Sequence, residues 1–275
     1  MKKSQLVLVA VGLLAIVGLY SLPKIVVDNE AASTEVSDPQ AEADSTPGLA
    51  QMHGNELSSD IQTQITELKS KLNSQSDLND RIEAARSISG IFQSQGVFDS
   101  AAYYLDQALS LSPENLALTE EAGNAFYEAY SFALDKNKVE ALAEKTRTYL
   151  NRVVENDPTR LDLKSKVAMT FVSSANPMQG ITMLREILEQ DPQNESGLFN
   201  MGILSMQSGQ YNRAIERFEE LKKFHPDNLQ GQFYLAVSYF ENKEKNKAKA
   251  QFEAVQQMTQ DPMILESVRT YLEKL

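Results

Sequence analysis

The side chains that most often carry out catalysis are sparse in this chain of 275 residues. It contains no cysteine and only two histidines, His53 and His225. A thiol nucleophile, a thiolate metal site and a site built from several histidines are therefore excluded within one chain. His225 directly precedes Pro226 at a predicted helix end, where a histidine more commonly stabilises the helix terminus than takes part in a reaction.

Adjacent carboxylates are the other candidate chemical groups. The pairs Glu120–Glu121 and Glu219–Glu220 are neighbours in predicted helices, so their side chains point in different directions, and we interpret them as parts of a solvated surface. The sequence contains no phosphate-binding loop, nucleophile elbow, zinc-binding H-E-x-x-H or EF-hand motif. We therefore predict a protein that is not an enzyme, with no catalytic residues, no metal and no cofactor. The open alternative is an enzyme whose metal or cofactor would co-purify with the domain.

Charge also restricts the partners. The chain has 26 Lys and Arg against 38 Asp and Glu, which gives a formal net charge of −12. Nucleic acid is excluded as the main partner because phosphate binding needs clustered basic residues. Hydrophobic residues make up 42% of the chain, which is enough for a sizeable core.

The N-terminus carries a membrane signal. Residues 4–23 have no charged side chain, and Lys2 and Lys3 precede them. Twenty uncharged residues in a helix span about 30 Å, the thickness of a bilayer core. We expect residues 1–27 to form a single-pass signal anchor, with the N-terminus cytoplasmic and the rest of the chain extracytoplasmic, which is periplasmic in a Gram-negative bacterium. A cleaved signal peptide, which would give a secreted soluble protein, is the alternative.

Two further segments follow the anchor. Residues 28–55 are rich in Ala, Ser, Asp, Glu and Pro, a composition typical of an acidic flexible linker. Helical periodicity begins at residue 56, where apolar residues recur three and four positions apart. We therefore predict a helical domain over residues 56–275.

Prolines divide this domain at regular intervals. Pro158, Pro192 and Pro226 are each 34 residues apart, which indicates a repeated structural unit. An asparagine lies two residues after a proline at three places, where its side chain can cap the next helix. These asparagines are Asn115, Asn194 and Asn228.

Small and large residues recur in register with the prolines. Unit 195–228 carries the fullest pattern: Leu198, Met201, Gly202, Gly209, Tyr211, Ala214, Phe218, Leu221 and Pro226. This pattern resembles the tetratricopeptide repeat, a helix-turn-helix unit of 34 residues. The resemblance implies an all-α fold, an α-solenoid of antiparallel helical hairpins in which small residues lie where helices cross closely. The repeats are expected at about 82–115, 116–160, 161–194, 195–228 and 229–262, with a capping helix at 263–275.

The second unit departs from the pattern. Residues 116–160 exceed the period by 11 residues, which is close to three helical turns. Because apolar residues continue through the unit, we predict two longer helices that meet near residues 135–138, rather than a disordered loop.

The resemblance also implies where a partner would bind. In this family the first helix of each repeat lines a concave groove through set positions. Carried over to this sequence, the candidate binding residues are Lys166, Met169, Phe199, Asn200, Ile203, Met206, Phe233, Tyr234, Val237 and Phe240. Coverage of Phe233, Val237 and Phe240 by the capping helix is an equally open interpretation.

The expected function is that of a membrane-tethered, non-catalytic scaffold or adaptor for protein–protein interaction. It would hold a peptide of a partner protein in the groove, where apolar anchors would supply affinity and Lys166 and Asn200 would orient the partner. A self-associating structural scaffold is a further alternative, and the sequence leaves the oligomeric state open.

Overall fold

The computed structural model describes residues 57–74 and 77–275. The predicted anchor at 1–27 and the linker at 28–55 lie outside these residues. None of the helices in the described part of the chain is long and apolar enough to cross a bilayer.

The described residues form twelve α-helices and no strand. The helices are α1 (Ser59–Ser74), α2 (Leu78–Ser94), α3 (Phe98–Leu111), α4 (Leu116–Phe132), α5 (Lys136–Asn156), α6 (Leu161–Val172), α7 (Pro177–Gln190), α8 (Glu195–Gln207), α9 (Tyr211–Phe224), α10 (Leu229–Glu241), α11 (Lys245–Met258) and α12 (Pro262–Leu272). Each helix packs mainly against the next one along the chain. The predicted all-α architecture of stacked helical hairpins is therefore confirmed for this region.

Asparagine caps begin the first helices of three hairpins. The Asn115 side chain accepts a hydrogen bond from the Leu118 backbone N–H at 3.1 Å. Asn194 and Asn228 accept in the same way from N–H groups three residues further on, at 2.9 and 2.6 Å. These bonds satisfy backbone donors that have no partner inside the helix, and the predicted capping is confirmed.

In three hairpins, a residue with a left-handed backbone conformation lies in the turn between the two helices. Gly96 and Gly209 have φ of 72° and 70°, and Lys243 has φ of 65°. Glycine takes this conformation without steric cost, whereas lysine does not. The backbone at Lys243 is therefore more strained than the backbone at the two glycines.

Small residues allow close helix crossings. A Cβ atom added to Gly180 on α7 would lie 2.3 Å from the Ala168 carbonyl oxygen on α6. One added to Gly202 on α8 would lie 2.6 Å from the Phe218 ring on α9. The predicted use of small residues at the crossings is confirmed at both sites.

The second hairpin is longer than the others because α4 has 17 residues and α5 has 21. This confirms two long helices in place of a disordered loop. The connection between them lies at residues 133–135, slightly before the predicted tip, because the Asp135 side chain accepts from the Lys138 backbone N–H at 3.2 Å and the helix starts there.

Candidate protein-binding face

The first helices of successive hairpins, α2, α4, α6, α8 and α10, form a continuous surface that we call the first-helix face. Side chains on this face form hydrogen bonds from one hairpin to the next, and in three of these bonds the two residues are 35 positions apart in the chain. At its N-terminal end, the Arg86 guanidinium donates to both carboxylate oxygens of Glu121, at 2.8 and 2.6 Å. Gln93 donates to Glu128 at 2.7 Å. This part of the face is polar and internally paired.

The two adjacent glutamates on α4 are not simply solvated. Arg160, which precedes α6, donates to both oxygens of Glu120 at 2.8 and 2.7 Å, while Glu121 pairs with Arg86. The hydrogen bonds from Arg160 lower the pKa of Glu120 below its usual value. The solvated interpretation was wrong because it took no account of the neighbouring hairpins, which bring an arginine to each carboxylate.

Lys166 lies half-buried in the middle of the face. Its ammonium group donates to Asn124 Oδ1 at 2.6 Å and lies 5.7 Å from the centre of the Tyr127 ring. Burial lowers the pKa of Lys166, although Asp162, Glu128 and Glu120 act in the opposite direction. Burial likewise raises the pKa of Tyr127.

Asn200 continues the same pattern on α8. Its side-chain amide donates to the hydroxyl of the buried Ser165 on α6 at 2.8 Å. Met169, one turn after Ser165, is half-buried against the core of the α6–α7 hairpin, and its carbonyl accepts from the Tyr130 hydroxyl at 3.0 Å. Lys166 and Asn200, the residues predicted to orient a partner, thus both bind other residues of the chain.

The face becomes aromatic towards its C-terminal end. The Phe199 ring contacts two other rings. Its centroid lies 5.9 Å from that of Tyr234, one repeat later, and 6.2 Å from that of Phe218 on α9. Ile203 and Met206 are half-buried against the same core. The structure therefore brings these candidate residues together with Tyr234, as part of one apolar cluster.

The last helix covers part of this cluster. Tyr271 on α12 contacts Phe233 at 6.1 Å and Phe240 at 5.3 Å. Val237 is only 6% exposed, so its burial supports a core role. Phe233, Tyr234 and Phe240 stay half-buried.

A cleft of about 210 Å³ remains between α10 and α12. It is lined by Leu229, Gln230, Phe233, Tyr234, Met263, Ile264 and Ser267. Met263 at its edge is 80% exposed, so the cleft is accessible from solvent. We call this site the terminal cleft.

Ile264 and Ser267 were not among the residues predicted to line a binding surface. Continuing the 34-residue count into the last helix places them at the second and fifth positions of a further unit. The tetratricopeptide resemblance assigns those positions to the groove, so the 34-residue spacing could have predicted both residues as part of it.

His225 lies away from the first-helix face, just after the end of α9. Its Nε2 is 2.7 Å from the Gln193 carbonyl oxygen, in the loop before α8. This contact ties the end of α9 to the preceding loop, as expected for a histidine at a helix terminus. Among the described residues, no cluster of His, Asp or Glu could hold a metal ion.

The repeat period, the asparagine caps and the close helix crossings give the described residues a tetratricopeptide-like fold of repeated helical hairpins. A family model described as "Surface lipoprotein assembly modifier, N-terminal TPR repeats" matches residues 174–252. A search of the curated proteins gives no significant match.

Solved structures share the fold. A thermophilic tetratricopeptide repeat protein from Thermus thermophilus is similar with a TM-score of 0.55 at 13% identity, covering 70% of this chain and 98% of its own. A tetratricopeptide repeat protein from Parabacteroides merdae has a TM-score of 0.51 at 17% identity, covering 78% of this chain and 86% of its own. At these identities the likeness shows the fold alone.

Proposed function

We propose that this protein is a non-catalytic, membrane-tethered adaptor that binds a peptide segment of a partner protein on the first-helix face. The observation that carries the proposal is the terminal cleft, where aromatic side chains border an accessible space of about 210 Å³. Apolar surface that is open to water in a folded domain favours a partner. An aliphatic or aromatic side chain of the partner would fill the cleft as its anchor.

The polar part of the face would align the rest of the peptide. Lys166 and Asn200 lie between the ion-paired end and the aromatic end, and each already holds one hydrogen bond within the chain. Lysine has three N–H donors and an asparagine amide has two. Both residues therefore retain a donor for a backbone carbonyl or an acidic group of the partner.

The proposed location follows from the N-terminal sequence. Residues 1–27 would anchor the chain with its N-terminus in the cytoplasm, and residues 28–55 would tether the repeats outside it. The matched family model describes repeats of a surface lipoprotein assembly modifier. A partner engaged in assembling proteins at the cell surface would agree with that location.

The experiment compares two exposed methionines in the full chain, extracted from membranes in a mild detergent. Met263 at the edge of the terminal cleft is 80% exposed, and Met178 on α7 is 56% exposed. Met263→Asp puts a charge into the cleft, and Met178→Asp is the matched control. Circular dichroism establishes that both variants fold.

We expect the parent and Met178→Asp to capture the same protein and Met263→Asp to lose it. If all three capture the same set, or if none captures a partner, the terminal cleft is not the binding site. Sedimentation of the purified chain separates the self-associating alternative, and the mass of the mature chain separates the secreted one.

A further inference from the structure

Most arginines of the described residues donate to an acceptor within the chain. They are Arg81, Arg86, Arg147, Arg152, Arg160, Arg217 and Arg269. Arg185 on α7 and Arg213 on α9 are the exceptions, because neither makes a hydrogen bond or ion pair with any part of the chain that the structure describes. Carboxylates are abundant in this protein of net charge −12, so two unpaired arginines are unexpected.

Both unpaired arginines line the same cleft, which has a volume of about 360 Å³. It lies where the α6–α7 hairpin meets the α8–α9 hairpin, and we call it the arginine cleft. Arg217 also lines it, with its guanidinium 3.1 Å from Glu220. Glu216 is the one carboxylate among the lining residues, so the lining side chains carry an excess of positive charge.

The rest of the lining is partly apolar. Ile181, Met201 and Leu204 contribute side chains that are only half-buried. Met201 and Leu204 also pack against the core of the α6–α7 hairpin, so they are held in place. The cleft therefore offers guanidinium groups next to a fixed apolar surface.

This combination suits an anion with an apolar neighbour. Guanidinium groups bind carboxylates through paired N–H donors. Like charges in one recess repel each other, and a bound carboxylate would relieve that repulsion. Glu216 offsets only part of this charge.

We propose that the arginine cleft binds an acidic peptide segment of a partner protein, separately from the first-helix face. A carboxylate of the segment would pair with Arg185 and Arg213, and an adjacent aliphatic side chain would lie on Met201 and Leu204. An anionic membrane fits less well, because a chain of net charge −12 is repelled by an anionic surface.

The test uses the full chain in nanodiscs of zwitterionic lipid and two fluorescein-labelled synthetic peptides. One peptide alternates glutamate with leucine, and the other has glutamine in place of each glutamate. Fluorescence anisotropy measures the binding of each peptide, with empty nanodiscs as the blank. The test variant is Arg185→Gln/Arg213→Gln, and the control is Arg152→Gln/Arg269→Gln, which removes the same charge elsewhere.

We expect the parent to prefer the acidic peptide, and the test variant to bind it about tenfold more weakly while the control stays within about twofold. The test variant should also unfold at the same urea concentration as the parent, because its arginines have no partners to lose. Equal binding of the two peptides, equal loss in both variants, or no binding by the parent would overturn the proposal. Binding of phosphatidylglycerol vesicles through the two arginines, without peptide binding, would replace it with a membrane contact.

Discussion

Phe233 on α10 and Tyr271 on α12 meet edge to face, with ring centroids 6.1 Å apart. Tyr271 also stacks on the fully buried Phe252 at 5.0 Å. The last helix therefore closes one side of the aromatic cluster and leaves the terminal cleft open on the other. The capping helix thus covers part of the aromatic cluster, and an accessible cleft remains beside it.

Removing the Tyr271 ring should loosen the last helix. We expect Tyr271→Ala to destabilise the domain by about 2 kcal/mol, because three aromatic contacts are lost. Hydrogen exchange should speed up in α12 and stay unchanged in α2, since a repeat contacts mainly its neighbours. Tyr103→Ala, at a residue that is 47% exposed, is the control and should change little.

Alanine substitutions at two glycines should change the stability of the domain in opposite directions. At Gly180 a Cβ atom would collide with the Ala168 carbonyl oxygen, so we expect Gly180→Ala to cost roughly 2 kcal/mol through forced separation of α6 and α7. Apart from the α2 backbone and the two adjoining residues, none of the described residues comes within 4 Å of a Cβ added at Gly90. Alanine there should therefore stabilise α2 by up to about 1 kcal/mol. Urea unfolding measures both, and equal effects would contradict the close crossing.

The ion pair between Arg160 and Glu120 predicts a pH dependence. Because Arg160 lowers the pKa of Glu120 from its usual 4.5, the unfolded chain binds the proton more tightly. The pair therefore stabilises the fold above pH 4.5, and this contribution disappears as the pH falls through the lowered pKa. We expect Glu120→Gln to cost up to about 1 kcal/mol at pH 7 and nothing in strong acid.

A matched control is available for that measurement. Glu114 pairs with Arg152 at 2.7 Å, but its side chain is 94% exposed. Glu114→Gln should leave the unfolding free energy unchanged at both pH values. A loss at Glu120 that persists in acid would mean that the pair is not its cause.

The turn at Lys243 can be relaxed. Lys243 has φ of 65°, and Gly209 occupies the equivalent turn 34 residues earlier with φ of 70°. We expect Lys243→Gly to stabilise the domain by about 0.5 kcal/mol, after allowance for the greater freedom of glycine in the unfolded chain. Gly209→Lys should have the opposite sign in thermal unfolding. A loss of stability in Lys243→Gly would show that the lysine side chain outweighs the backbone strain.

Local signals in the sequence were sufficient to predict the helical hairpins. The 34-residue proline spacing, the caps at Asn194 and Asn228 and the small residues at Gly180 and Gly202 each act within one hairpin or between its two helices. For this reason the hairpin architecture could be predicted from these residues. The length of the second hairpin followed from apolar periodicity in the same way.

Contacts between hairpins were harder to predict. The pairing of Arg86 with Glu121, and of Ser165 with Asn200, depends on the rotation from one hairpin to the next, which no local pattern encodes. The same rotation determines how much of Phe233 is covered by Tyr271 and which residues line the two clefts. The candidate site was therefore predicted as a set of residues, but its division into paired, covered and accessible side chains was not.

The most direct test of the proposed function places a photo-crosslinking amino acid at position 263 of the full chain in intact cells. The same substitution at position 178 is the control, because Met178 is also exposed. We expect light to join one partner protein to position 263 and not to position 178, and the adduct to disappear when Gln230→Trp fills the terminal cleft. No adduct at position 263, or the same adducts at both positions, would contradict a partner bound in the terminal cleft.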